Sequence, residues 1–227
     1  MTVHKIAVIG SGTMGSGIAL TAATNGIRAV VVDISDEQIS RAKKYHQKQL
    51  EKSVAKERIT QDEADIATAN LSYKTSMEEA ADANWAVEAA TENVDVKKSI
   101  FKKMFDVFGD DVVLATNTSS ISITDLASSI PKAEHRVIGM HFFNPVPVMK
   151  LVEVIKGKKT SEETTAATIA LSEQMGKTPV PANDFAGFVS NRVLMPMINE
   201  AFHAWSDGVA DPEAIDSIMK LGCAFPM

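Results

Sequence analysis

The stretch Ile6-Ala7-Val8-Ile9-Gly10-Ser11-Gly12-Thr13-Met14-Gly15 is an apolar, β-branched run that passes into glycines spaced G-x-G-x-x-G. Such a run reads as a strand, a tight turn and the start of a helix. The first glycine allows the turn, the second admits a pyrophosphate against the backbone, and the third lets helix and strand pack closely. The helix N-terminus offers unpaired N–H groups and the positive end of its dipole to the phosphates. An acid, Asp33, ends the next apolar run, 18 residues after Gly15. There it is placed to accept hydrogen bonds from an adenosine ribose. The residues that follow, Ile34, Ser35 and Asp36, include no cation to meet a 2′-phosphate. The stretch therefore predicts a dinucleotide site formed by Gly10, Gly12, Thr13, Met14, Gly15 and Asp33, with NAD preferred over NADP.

Outward from this loop, short apolar runs alternate with amphipathic stretches, the signature of βαβ units. Strands are expected at Lys5–Ile9, Ala29–Asp33, Trp85–Ala89, Val112–Thr116, Arg136–Met140, Lys150–Ile155 and Thr178–Val180. Helices are expected at Met14–Asn25, Asp36–Val54, Asp95–Phe108, Thr124–Ile130 and Ser161–Met175. Gly26 and Gly176 follow two of these where a left-handed cap residue is wanted. Thr60 with Glu63, and Ser76 with Glu79, have capping-box spacing. The expected class is α/β, a Rossmann-type doubly wound and mostly parallel sheet. Pro179, Pro181, Asn183 and Asp184 read as a domain boundary, giving a dinucleotide domain over 1–183 and a helical segment over 184–227.

Composition narrows the partners. Of 227 residues, 45% are hydrophobic and 23% charged, the balance of a globular chain with a sizeable core. No apolar run approaches the roughly 20 residues that span a bilayer, and the N-terminus leads straight into a strand, so neither a membrane partner nor a secretion signal is expected. The net charge of −6 argues against nucleic acid, whose affinity comes mainly from basic residues. A single cysteine, Cys223, excludes an internal disulfide and a multi-cysteine metal site; no metal is expected, and a cytoplasmic setting fits.

Beyond the boundary only helix is predicted. Phe188 to Trp205 on a helical wheel places apolar residues over an arc of about 260°, too wide for one packed face. Asn191 falls inside that arc, and a buried amide needs partners, so it is either a satisfied structural residue or a ligand contact.

His4, His46, His135 and His203 stand in polar or flanking contexts and read as surface residues. His141 is different: it ends the run Val137–Met140 and opens His-Phe-Phe-Asn-Pro-Val-Pro, at the carboxyl edge where such sheets bind ligands. Twelve residues on, Glu153 stands inside the apolar run Leu151–Ile155, where an unpaired charge is costly. A histidine ending one strand and a carboxylate within the next can meet as a base and its orienting acid.

With these residues in view the chain resembles the L-3-hydroxyacyl-CoA dehydrogenases, of the 3-hydroxybutyryl-CoA type. The resemblance rests on IAVIGSGTMGSGIA, VEAATENVDVKK, ATNTSSISIT, HFFNPVPVMKLVEVI, FAGFVSNRVLMPMINEA and MKLGCAFPM. It implies hydride transfer between NAD and the 3-hydroxy or 3-keto group of a short-chain acyl-CoA, with His141 as base and Glu153 orienting it. It implies further that Ser119 and Asn191 hydrogen-bond the reacting oxygens, and that Glu92, Lys97, Ser119 and Asn144 lie along the cofactor. Lys44, Lys48, Lys52 and Lys56 recur at i+4 on one helix face. That stripe is either a solvated face balanced by Glu51 and Glu57 or a landing surface for coenzyme A phosphates, with Lys56 matching a family contact. The helical segment is shorter than the family's, which is expected to leave apolar surface exposed, to drive self-association through residues 186–225 as a homodimer or by exchange of these helices, and to reduce turnover because Asn191 sits on a poorly supported helix. The alternatives are a related enzyme acting on a non-CoA hydroxy acid or a diketone, and a nucleotide-binding relative without turnover.

Overall fold

The computed structural model describes residues 2–225, which form two units, one ending at Phe185 and one beginning at Ala186. The first is built on eight strands: β1 (Lys5–Ile9), β2 (Arg28–Val32), β3 (Leu71–Lys74), β4 (Trp85–Glu88), β5 (Val113–Thr116), β6 (Val137–Phe142), β7 (Leu151–Lys156) and β8 (Thr178–Asn183). They lie in one sheet in the order β3-β2-β1-β4-β5-β6-β7-β8. All neighbours pair in parallel except β6 and β7, which are antiparallel. Helices α1 (Thr13–Thr24), α2 (Asp36–Ala55), α3 (Gln61–Ala69), α4 (Val94–Val107), α5 (Ile123–Ala127) and α6 (Glu162–Gln174) connect them. β1, β2, β4 and β5 reverse direction of progress at β1, the switch point where doubly wound sheets take ligands.

Central strands read Val-Val-Val or Val-Leu-Ala because both sheet faces are covered. On one face Ile6, Val8, Trp85, Val87, Ile138, Met140, Val152 and Val154 pack with Ile18, Ala19 and Ala22 of α1 and Leu171 and Met175 of α6. The sheet class, the glycine loop and every expected strand stand in the structure, and the capping box of Thr60 and Glu63 is formed at the start of α3.

Two local expectations are corrected, one strand runs longer than expected and one is added. The Ser76–Glu79 spacing forms no capping box: Ser76 makes no capping bond, its hydroxyl goes to Glu78, and Glu79 pairs with Lys74 at 2.9 Å. Only one 3-10 turn, Met77–Ala80, follows, too short to offer the helical N3 amide that a capping box needs. The strand expected at Thr178–Val180 runs on to Asn183 as β8, and the chain divides close to the expected boundary, after Phe185. β8 is an edge strand, and because the N–H of Thr178 bonds to Lys150, those of positions 179 and 181 point away from β7, where proline costs no ladder bond. His46 is not a surface residue. It is 1% exposed, with Nε2 2.8 Å from the Ser16 carbonyl and Nδ1 2.7 Å from the Tyr73 hydroxyl. Finally β3, a strand without a sequence signal, adds the outer edge beside β2.

The second unit contains α7 (Ser190–Ser206) and α8 (Pro212–Gly222). Asp211 caps α8, its side chain accepting from the Ala214 N–H at 2.8 Å. No residue of either helix is fully buried, and Val193, Met195, Phe202, Trp205, Ile218 and Leu221 are exposed.

Candidate active site

The carboxyl ends of β1, β4, β5 and β6 meet along one edge of the sheet. At β1 the chain turns through Gly10, whose φ of +102° and whose approach to Ala90 leave no room for a side chain; a Cβ would stand 2.6 Å from the Ala90 Cα. At Gly15 a Cβ would meet the Gly10 carbonyl oxygen at 1.9 Å. Gly12 is the opposite case: a Cβ there would find nothing within 4 Å. It marks open space directly over the start of α1, whose N-cap makes no side-chain bond and whose first turn holds no acid. The backbone N–H groups of Thr13 and Met14 are thus left to an anion, as a pyrophosphate requires.

Asp33 follows β2. Its Oδ2 accepts from the Ser11 N–H at 2.9 Å and the Ser11 hydroxyl at 2.7 Å, and its Oδ1 from the Ser35 N–H at 3.0 Å. With Gly10, Ile34, Thr91, Ile100 and Lys103 it lines a cavity of about 400 Å³, of a size for an adenosine. Lys103 is a cation that the residues after Asp33 did not reveal, but Glu78 is ion-paired with it at 3.2 Å.

His141 and Glu153 are directly opposed in the antiparallel ladder of β6 and β7, so both side chains leave the same face. They are buried, and Nδ1 of His141 lies 2.7 Å from Oε2 of Glu153. A carboxylate can only accept, so Nδ1 carries the proton and the basic lone pair of the neutral ring is on Nε2. Phe143 packs on the imidazole, 4.6 Å between ring centres. The ladder explains how two residues twelve apart come together: β6 runs to Phe142, past the expected end at Met140, and the return strand brings Glu153 back alongside.

Next to this pair, the loop after β5 is held from two sides. Asn117 Oδ1 accepts from the Phe142 N–H at 2.9 Å. Glu92 Oε1 accepts from the Thr118 hydroxyl at 2.6 Å, the Ser119 N–H at 2.8 Å and the Ser120 hydroxyl at 3.2 Å. Burial alone would raise the Glu92 pKa; those bonds and the charge of Lys97 outweigh it and keep the carboxyl below its ordinary range. Lys97 is buried against Glu88, a carboxylate that the sequence reading missed. Its signal was the one that marked Glu153, an acid inside an apolar run, here Trp85-Ala86-Val87-Glu88. Asn144 is exposed just past β6. Lys44, Lys48, Lys52 and Lys56 are exposed along and after α2. Glu51 bonds Gln47 rather than any of them. Asn191 stands in the first turn of α7, in the second unit. No group of three or more metal-ligating side chains occurs among the described residues.

A loop shaped for a dinucleotide and a buried histidine held by a carboxylate at the same sheet edge are the equipment of a nicotinamide-dependent dehydrogenase. Known proteins narrow the class. Residues 5–185 match the family model for the NAD-binding domain of 3-hydroxyacyl-CoA dehydrogenase, and residues 187–227 match that of its C-terminal domain. The chain is 44% identical over 223 residues to a 3-hydroxybutyryl-CoA dehydrogenase of Clostridioides difficile, covering 98% of this chain and 79% of that one. The crystal structure of (S)-3-hydroxybutyryl-CoA dehydrogenase from Ralstonia eutropha superposes with a TM-score of 0.97 at 45% identity, covering 99% and 79%. A diketoreductase structure superposes with a TM-score of 0.92 at 28% identity, covering 100% and 81%. The chain belongs to the 3-hydroxyacyl-CoA dehydrogenase family and is an NAD-dependent dehydrogenase.

Proposed function

We propose that the chain interconverts a short-chain 3-hydroxyacyl-CoA, of the 3-hydroxybutyryl-CoA type, with its 3-keto form, using His141 as the proton acceptor. When bound, NAD accepts the hydride released from C3. Nε2 of His141 takes the hydroxyl proton as that hydride leaves, and the ring becomes an imidazolium. Glu153 keeps Nδ1 protonated, aims the ring, and stands 2.7 Å from the positive charge that forms, which is where a counter-charge lowers the barrier. Ser119 and Asn191 hydrogen-bond the reacting oxygens, while Gly10, Gly12, Thr13, Met14, Gly15 and Asp33 hold the dinucleotide, with Glu92 and Asn144 beside it. Lys56, exposed and without an ion pair among the described residues, serves a phosphate of coenzyme A.

The observation that carries this reading is the His141–Glu153 pair, set in register at the edge where β1, β4 and β5 also end. Names of relatives at 44–45% identity support the thioester substrate. The first unit serves as the NAD-binding domain and the residues from Ala186 onward as a helical domain. The exposed apolar side chains of α7 and α8 support a homodimer made through them. A cytoplasmic location agrees with a single exposed cysteine, Cys223; no described helix is long and apolar enough to cross a membrane. The test is NADH oxidation with acetoacetyl-CoA, acetoacetate and a diketone side by side. Turnover confined to the thioester supports the proposal, and a preference for the diketone replaces it with the reductase reading that the likeness to the diketoreductase structure favours.

A further inference from the structure

Side chains alternate along a strand, so Phe142 and Phe143 point to opposite faces at the end of β6. Phe142 is buried and packs in the core with Ile18 and Leu171. Phe143 returns to the face that carries His141. It is half-buried there, with its ring centre 4.6 Å from that of the imidazole and 45° between the planes. The imidazole is thus held in two ways: Glu153 meets its Nδ1 at 2.7 Å, and an aromatic ring stands against it. Both His141 and Glu153 are buried, which leaves little water to solvate a positive charge on the ring. An aromatic face carries partial negative charge. It attracts a cation within roughly 6 Å of its centre and is almost indifferent to a neutral imidazole. The two partners therefore differ before the proton moves. Glu153 already accepts from Nδ1–H of the neutral ring, whereas the π electrons gain only as positive charge develops. An interaction that is stronger in the transition state than in the ground state is one that raises the rate.

We propose that Phe143 acts on the reaction through His141: its π electrons favour the imidazolium formed when Nε2 takes the hydroxyl proton, and so speed the oxidative direction. This rests on the reading of His141 as the proton acceptor, and the experiment separates the two. Fluorine withdraws charge from an aromatic face with little change of shape. Phe143 is replaced in the full chain by mono-, di- and trifluorophenylalanine, and by leucine, each with His141 present and in the His141→Gln background. The measurements are NADH formation in the first turnover at saturating NAD and 3-hydroxybutyryl-CoA, its dependence on pH, and the NADH dissociation constant.

The plateau rate is expected to fall stepwise with each added fluorine. It should reach about fivefold below wild type for the trifluoro ring and for Phe143→Leu, the effect of one such contact at a partly exposed site. The acid side of the pH profile should move to lower pH along the same series, because a less favoured imidazolium forms at lower pH. NADH affinity should change less than about twofold, and in the His141→Gln background the series should be flat. Equal rates across the fluorinated series beside a slow leucine variant would show that the ring only packs, which overturns the inference and leaves His141 as the base. A stepwise loss that persists in His141→Gln overturns it too, as does weaker NADH binding at an unchanged rate. Wild-type turnover in His141→Gln would overturn the reading of His141 itself, and the inference with it. If Phe143→Leu does not fold, the fluorinated series, close to wild type in shape, decides alone.

Discussion

Two buried carboxylates stand at the same edge of the sheet, and they are put to different uses. Glu153 on β7 faces His141, an imidazole whose second nitrogen can take a proton; Glu88 on β4 faces Lys97, an ammonium that only donates. In sequence they look alike, an acid within an apolar strand. Their partners separate them. A carboxylate beside an imidazole can take part in moving a proton, whereas one locked to an ammonium and to the Thr116 hydroxyl can only hold position. A buried acid alone therefore says that a partner exists, and whether that partner can accept a proton says whether chemistry follows.

The largest effect that sharpens this contrast is on folding. Lys97→Met leaves Glu88 buried and uncompensated, and should lower stability by about 3–5 kcal/mol. His141→Gln, whose amide can still donate to Glu153, should cost far less. Chemical denaturation of both variants checks the difference; equal losses would erase the distinction. On the rate the order reverses. His141→Gln should reduce turnover by on the order of a hundredfold or more, as for a positioned base, with NADH still binding. Glu153→Gln should act in the same direction by less. Loss of NADH binding in both would make them structural residues.

Cofactor binding lies outside either pair and should respond alone. Asp33→Ala is expected to weaken NADH about tenfold or more, the loss of charge-assisted hydrogen bonds, without changing kcat at saturating NADH. Fluorescence titration of NADH reads this directly, and unchanged affinity would mean that the ribose binds elsewhere.

The smallest effect concerns a third buried titratable group. Burial lowers the pKa of His46 from 6.5, against a smaller opposing push from the Ser16 carbonyl, and pushes the Tyr73 hydroxyl up to about 12. Because the folded-state pKa is the lower one, the unfolded chain binds more protons as pH falls through 6.5. The contribution of neutral His46 is thus complete above that pH and is lost below it. Melting temperatures of the wild type and His46→Gln should converge by a few degrees between pH 7.5 and 5.5; parallel curves would mean that His46 titrates as it does in the unfolded chain.

What could be read in the sequence follows from the range of the forces involved. The glycine loop, the parallel strands and the His141–Glu153 pair carry local signals: a turn only glycine makes, runs covered on two faces, and a charge where none should stand unpaired. Glu88 carried the last signal too, inside the expected strand Trp85–Ala89, but no histidine stood in a neighbouring run to point to a partner. Lys97 and His46 gave none. Each lies on an amphipathic helix among other polar residues, and only the packing of α4 on β4 and of α2 on α1 buries them. The strand expected at Thr178–Val180 runs on to Asn183, past the point where Pro181 suggested a boundary, because a missing N–H argues against a strand. It argues so only for positions whose N–H would face a neighbour.

The central claim is that Glu153 acts on the reaction solely through His141. A double-mutant cycle of His141→Gln and Glu153→Gln, read as turnover of NADH with acetoacetyl-CoA, tests it most directly. The account predicts that Glu153→Gln lowers kcat when His141 is present and costs nothing further once His141 is glutamine. Losses that multiply in the double variant would contradict it.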